Sequence, residues 1–530
     1  MAYDLKSYRE PFWAKSAKYV RGRDPLGIQN SSISVYAVLL PGMTNLTLRL
    51  RYYGFYLWLL DEYENLSSDS VFKSSTANQY NFIRRGELII SYLMTTIAPQ
   101  ELSIIGSDFT SKKKNEINEL GYYDIALGAD KLSTTEKGSV YWDYTSGALG
   151  QNYAGSLLNL GLINAKQRYF ERTIDKGAEL AQAFRESLDP DSENLFIQRI
   201  LEGKLYADDL NLLSGFAINR PLNGTAEGAF YQKLFLAPDK VEEDLNTEKP
   251  PRQRRETLNL FLSLISSQNE EKDYRKLPYN LYKKQLVSGK ISDAQYGWYF
   301  YYLNEQLHYS LEGVFWGLLK LMESRTFSLH EFLGYVTLKS LDHEQLSMLN
   351  SQDKLADVIG KLGTKNSSVD DHITAIMQAV KGSNDISAIT HGIVVLVRLY
   401  RENEQNLLEL EKYAQRFDLK TKYGNAIEIF DMYVIKSKQF TLYEFVHRLI
   451  QTLLNEHIAI AYNKMGNGEK NLLKFIIEDN LLIHIETMEP NFTNPRLRTL
   501  YNFSVDLGYI DGDGHLTEEG KSILDQTSIG

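Results

Sequence analysis

Asn494-Pro495-Arg496-Leu497-Arg498-Thr499-Leu500-Tyr501-Asn502-Phe503-Ser504-Val505-Asp506-Leu507-Gly508-Tyr509-Ile510 carries the strongest fold signal in the chain. Leu497, Leu500, Tyr501, Ser504 and Leu507 recur at three and four spacings, which predicts a helix closed by Gly508. Pro495 suits the first helical position, where a missing N–H costs nothing. The opposite face would then carry Arg498, Thr499, Asn502 and Asp506. Asp511-Gly512-Asp513-Gly514 follows, a composition that favours positive φ at a hairpin tip. Thr517 can cap the last helix, with Glu518 and Glu519 at its positive end. The same order occurs earlier, as Leu160-Gly161-Leu162-Ile163 followed by Thr173 and Gly177. Helix, glycine, short hairpin and threonine-capped helix in that order is how a winged helix reads, so two winged-helix-like units are expected.

Elsewhere helical periodicity dominates, in Leu258 to Ile265, Leu303 to Met322, His391 to Tyr413 and Phe445 to Tyr462. The expected fold class is therefore mainly α: a multidomain helical protein with two winged-helix-like units carrying short β-hairpins. Pro238 to Arg255, polar and proline-containing, is the best linker. Five regions follow: an N-terminal helical region with an Arg/Tyr helix (1–110), a winged-helix-like unit (111–187), a helical connector and linker (188–255), a helical core domain (256–464) and a C-terminal winged-helix-like domain (465–530). A second internal similarity pairs Phe327-Ser328-Leu329-His330-Glu331-Phe332 with Phe440-Thr441-Leu442-Tyr443-Glu444-Phe445. Both contain S/T-x-x-E, the capping box in which hydroxyl and carboxylate satisfy orphan backbone donors at a helix start.

The 530 residues hold 58 Lys and Arg against 68 Asp and Glu, a net charge of −10. A chain-wide phosphate binder is normally basic, so nucleic-acid contact would have to be local. The chain has no cysteine, which removes disulfides, thiolate metal sites and cysteine nucleophiles. The N-terminus is charged throughout and reads as no secretory signal. The uncharged run Tyr52 to Leu60 is far shorter than the ~20 residues a spanning helix needs. A cytoplasmic protein is expected. Tyrosine is in excess, at 35 residues, and clusters at Tyr52, Tyr53 and Tyr56 and again at Tyr296, Tyr299, Tyr301 and Tyr302.

Catalytic motifs are missing. The nine histidines form no H-E-x-x-H or H-x-H pattern. His447 and His457 share a predicted helix but lie about 15 Å apart along it, too far for one zinc. Asp511-Gly512-Asp513-Gly514-His515 lacks the later glycine and bidentate glutamate of a calcium loop. Phosphate loops and nucleophile elbows are absent. Arg325-x-x-x-x-His330 has the spacing of one helical ribonuclease family, but Ser328 should start a helix between the two. No metal or cofactor is expected, and a non-enzymatic role is favoured.

Arg49 and Arg51 are the most notable charges. On a helix they point some 200° apart, so at least one is drawn towards packed structure. A buried arginine must be paired; the competing role is phosphate binding with tyrosines alongside for stacking. Basic islands occur at Arg9 to Arg23, Lys112 to Lys114, Lys249 to Arg255 and Arg275 to Lys284. Candidate nucleic-acid-binding residues are Arg49, Arg51, Arg496, Arg498, Thr499 and Asn502, the last three being groove-reading types.

Leu40 to Leu60, His457-x-x-x-Ala461-x-x-Lys464 and Asn494 to Ile510 together resemble large bacterial proteins encoded beside restriction and phage-defence genes. The resemblance implies a context, host defence, and not a mechanism, and it attaches no catalytic residue. The expected function is a nucleic-acid-sensing or scaffolding subunit of an anti-phage defence complex. The alternatives are a defence nuclease with a split acidic metal site and a kleisin-like adaptor of an SMC-type ATPase. Expected partners are nucleic acid, DNA in preference, and other defence-complex proteins such as an ATPase or nuclease, with no membrane.

Overall fold

The computed structural model describes residues 24–68, 75–101, 104–130, 139–166, 169–236, 249–267, 292–362, 367–419, 424–466 and 472–528. It is mainly helical, with small sheets. Helices α1 (Gln29–Leu39), α2 (Arg51–Ser67) and α3 (Thr76–Ile97) precede the short strand β1 (Tyr123–Asp124). Next come α4 (Ala154–Asn159), the hairpin β2 (Ile163–Lys166) and β3 (Tyr169–Arg172), α5 (Lys176–Arg185), β4 (Lys204–Leu205) and α6 (Ala226–Leu236). The middle of the chain supplies α7 (Lys249–Ser267), α8 (Asp293–Ser324), β5 (Phe327–Ser328), α9 (Leu329–Asp342), α10 (Val369–Lys381) and α11 (Asp385–Asn403). The last elements are α12 (Leu442–Gly466), β6 (Phe475–Glu478), β7 (Leu481–His484), α13 (Leu497–Asp506) and α14 (Glu518–Ser528).

The chain divides into two compact units, each assembled from separated stretches. An arginine-helix unit comprises Ala37–Gln295 and Asn494–Gly530; a histidine-rich unit comprises Met1–Tyr36 and Tyr296–Thr493. Linker composition marks breaks along the chain, whereas a unit is defined by which faces bury one another.

In the arginine-helix unit, α2 is buried on every side from Arg51 to Asp61. A helix apolar around its whole circumference belongs at the centre of a core. Phe55, Trp58, Phe184, Phe196 and Phe216 are fully enclosed there, with ring centroids of neighbours 4.3–6.3 Å apart. Burying each such ring contributes about 1.5–3 kcal/mol. The first tyrosine cluster is interior as well. Glu87, completely buried, accepts from Tyr56 Oη (2.8 Å), Tyr141 Oη and the Ala148 and Leu149 N–H groups (2.9 and 2.8 Å). Tyrosine suits this place because an apolar ring reaches the core while its hydroxyl satisfies a buried carboxylate.

The two stretches containing LGxI share one set of turn and capping hydrogen bonds. Gly161 and Gly508 take left-handed φ values of 69° and 74°. Thr173 Oγ1 donates to Gly161 O (3.0 Å) and Thr517 Oγ1 to Gly508 O (2.6 Å). Each hydroxyl then accepts the N–H of the following helix's glycine, Gly177 (2.8 Å) or Gly520 (3.0 Å). Both glycines are required. A Cβ on Gly177 would stand 2.4 Å from Leu162 O, and one on Gly520 2.2 Å from Tyr509 O. Between glycine and threonine the first stretch forms the β2–β3 hairpin, and the second a single antiparallel bridge, Ile510 with Leu516.

The histidine-rich unit is built on α8, whose apolar residues Leu303, Leu307, Leu311, Val314, Phe315 and Leu318 are fully buried. Helices α10 and α11 pair, as do α9 and α12. The sheet order is β5-β7-β6, all antiparallel. Asp479 and Asn480, with φ of 49° and 64°, form its tight turn, the geometry that matches hairpin twist. Both expected capping boxes are present. Ser328 Oγ accepts Glu331 N (3.3 Å) and Glu331 Oε2 accepts Ser328 N (3.1 Å). The corresponding distances for Thr441 and Glu444 are 3.2 and 2.9 Å. Among the described residues no helix is long and apolar enough to cross a membrane.

Candidate functional site

The six residues expected to meet nucleic acid all lie in the arginine-helix unit, and most are turned inward. Arg49 donates to Asp506 Oδ1 (2.6 Å) and to Glu101 Oε1. Arg51, 2% exposed, pairs with Glu227 Oε2 (3.2 Å), donates to Ser187 Oγ (2.9 Å) and Gly215 O (2.8 Å), and stacks on Phe184. Helix α13 starts at Leu497 and not at Pro495, because Arg496 takes a left-handed φ of 65°. Arg496 donates to Leu40 O (3.0 Å), and Thr499 Oγ1 to Thr44 O (2.8 Å). Asp506 accepts the Leu50 N–H (3.0 Å). The expected solvent face of α13 is thus partly a packed face: the loop from Leu40 to Leu50 covers Thr499 and Asp506, while Phe503, not Tyr501, joins the core stripe. Arg498 is exposed and Asn502 half-buried.

Burial governs the ionic groups around this latch. It pushes Asp506 up to about 6 against the pull of Arg49, and Glu227 up to about 7 against the pull of Arg51. Of the basic islands, Arg9 to Arg23 and Arg275 to Lys284 lie outside the described residues. Lys112 and Lys114 are exposed. Arg254 is buried, donating to Pro41 O (3.1 Å) and Leu234 O (2.8 Å), so it faces no phosphate.

In the histidine-rich unit, His457 and Lys464 line a cavity of about 470 Å³ with Asp24, Pro25, Lys474, Glu486, Glu489 and Asn491. Their spacing of seven puts both on one face of α12. His457 Nδ1 donates to Pro25 O (3.1 Å) and Nε2 accepts the Lys474 N–H (3.0 Å). Those two bonds define a neutral Nδ1–H tautomer. Burial first, then Lys474 and Lys464, push its pKa down to about 4. With both ring nitrogens engaged, His457 is a staple and not a free base. Lys464, 1% exposed, donates to Asp24 O (2.7 Å), and the Asp24 carboxylate accepts the N–H groups of Ile28 (3.1 Å) and Asn30 (3.2 Å) at the start of α1.

Beneath this cavity lies a buried ionic cluster. Glu312 Oε1 is 3.1 Å from His308 Nε2, and Glu312 Oε2 accepts the Asn491 N–H at 3.2 Å. Glu305 accepts both Thr493 Oγ1 (2.8 Å) and the Thr493 N–H. Burial pulls the His308 pKa down, but Glu312 and Glu305 outweigh it and hold the ring well above its usual value. Burial likewise raises Asp24. The signal for this cluster was present in the sequence as Glu305-x-x-His308-x-x-x-Glu312, three polar groups on one face of an apolar helix. It is silent about Asp24 and Lys464, which reach the same place from far along the chain. The cavity can hold a small ligand among charges; among the described residues it offers no nucleophile with a free base beside it.

Compared with protein-family models, curated proteins and solved structures, the chain shows no match.

Proposed function

We propose that this chain is a non-catalytic scaffolding subunit that docks protein partners through two winged-helix-like units, in the anti-phage setting that its resemblance implies. The observation that carries the proposal is the repeated hydrogen-bond set of Gly161, Thr173 and Gly177 and of Gly508, Thr517 and Gly520. It supports two copies of one helix–wing–helix device. The exposed face of the helix that opens the first copy is uncharged: Gln151, Gly155, Leu158 and Asn159. Leu158 is 42% exposed, and an apolar side chain at that position favours a protein contact over phosphate. The tip of the second copy carries Asp511 and Asp513, exposed and repulsive to a phosphate backbone.

Leu158→Glu tests this reading. The variant should keep the wild-type circular dichroism and melting profile yet lose the proteins encoded by adjacent genes that co-purify with the native-level tagged chain. Retention of all of them by the variant would sink the assignment of this face.

A second reading, DNA contact by the second copy, is favoured by the exposure of Arg498 beside Asn502. It predicts salt-dependent binding of duplex DNA that is lost in Arg498→Ala/Asn502→Ala.

A further inference from the structure

The starts of α9 and α12, the two capping-box helices, line a groove of about 680 Å³ within the histidine-rich unit. That volume lies in the range of small-ligand sites. His330, His447, Arg448 and Tyr443 face it, over an apolar floor that includes Leu333 and Phe440.

The acidic groups nearby are already engaged by their helix caps. Glu331 and Glu444 are held in their capping boxes by Ser328 and Thr441. Glu444 would otherwise be the natural partner of Arg448 one turn later. Among the described residues Arg448 has no carboxylate partner; its guanidinium stacks on Phe440, 5.1 Å from the ring centroid. The Tyr443 and His447 rings stack at 6.2 Å and 25°. His447 is held below its usual pKa by burial and by His330, so the two imidazoles are close enough to repel when protonated.

The first turns of the two helices also differ. In α12 the Leu442 and Tyr443 N–H groups donate to Asp353 O (2.8 Å) and Ser351 O (3.0 Å). In α9 the Leu329 N–H donates to Asn480 O (3.1 Å) and the Glu331 N–H to Ser328 Oγ (3.3 Å). Among the described residues the His330 N–H between them has no acceptor. A groove on an acidic protein therefore gathers a guanidinium, two imidazoles and a helix start next to flat rings, while Glu444 in its lining is held by its own capping box.

We infer that this groove binds a nucleoside phosphate, the phosphate on Arg448, His447 and His330 and the base against the Tyr443 ring. Arginine is the side chain best matched to a phosphate fork, and a half-buried aromatic face accepts any base. The ligand is either a free mononucleotide or the 5′-phosphate end of a single strand; the recognition chemistry is the same.

Isothermal titration of the full chain with AMP, with adenosine and with a 5′-phosphorylated oligoadenylate tests the proposal. AMP or the oligonucleotide should bind, adenosine at least about tenfold more weakly, since a charge-assisted bond to phosphate is lost. Arg448→Ala should weaken the phosphorylated ligand by about tenfold or more, and Arg448→Lys by less. Arg448 is exposed, so its removal should leave the melting profile unchanged. Binding of AMP alone or also of the oligonucleotide identifies a mononucleotide site; binding of the oligonucleotide alone identifies a strand end. No heat from either phosphate ligand at millimolar concentration, or equal affinity in wild type and Arg448→Ala, would overturn the inference.

Discussion

Leu160 to Gly177 and Leu507 to Gly520 share a glycine–threonine–glycine hydrogen-bond set and differ in what surrounds it. Aligned on their glycines, Gln151, Gly155 and Asn159 of the first correspond to Arg498, Asn502 and Asp506 of the second. The first copy leaves all but the buried side of its helix open. The second has Asp506 tied to Arg49 and to the Leu50 N–H, and Thr499 tied to Thr44. A backbone device can be repeated by a glycine, a threonine and a second glycine, because those residues satisfy groups within their own segment. The outward chemistry is decided by whichever loop lies across the helix.

The largest test of the equivalence is Gly177→Ala against Gly520→Ala. Each new methyl would meet a backbone carbonyl inside contact distance, and both substitutions should cost about 3 kcal/mol or more in urea unfolding, in the range of core overpacking and backbone strain. A large cost in one and none in the other would break the comparison.

Arg49→Ala should separate the copies, since only the second has the latch. Removing one partner of a mostly buried pair leaves Asp506 uncompensated and should cost about 2–3 kcal/mol, discounted for the partial exposure of Arg49. Its pH dependence has a definite sign. An unfolded Asp titrates near about 4, whereas burial holds Asp506 up to about 6 in the fold. Between those values the folded chain binds more protons than the unfolded one, so this group's contribution to stability falls as pH rises through the window and is level above it. Asp506→Asn should flatten that slope; an unchanged slope would remove Asp506 as its source.

Smaller, and equal in the two copies, is the effect of Thr173→Val and Thr517→Val. Each loses a capping hydroxyl and should cost about 1 kcal/mol by thermal or urea melts. Smallest is Arg498→Ala, expected within about 0.5 kcal/mol because the side chain is exposed and makes no ion pair among the described residues. A larger loss would show that it supports the fold.

Much of the local architecture was legible in the residues themselves. LGxI with a following threonine and glycine announced the paired devices, and S/T-x-x-E announced the starts of α9 and α12, because capping and turn chemistry is settled within a few residues. The α13 face was read less well. Thr499 and Asp506 stand where solvent was expected, since nothing near them in sequence indicates that the loop from Leu40 to Leu50 packs there. The cavity around His457 and Lys464 was half visible: their spacing places them on one face, but Asp24 joins them only in the folded chain.

By itself, then, the sequence determined the helical class, the repeated glycine–threonine devices, the capping boxes and the lack of cysteine chemistry, all of which rest on short-range sterics and hydrogen bonding. Tertiary structure alone decided that Arg49, Arg51 and Arg254 turn inward, that Arg448 has no carboxylate partner among the described residues, and that Asp24, His308 and Glu312 share one buried cluster. Charge pairing depends on distance in space, and in the interior an ion goes to whatever partner can offset its lost hydration.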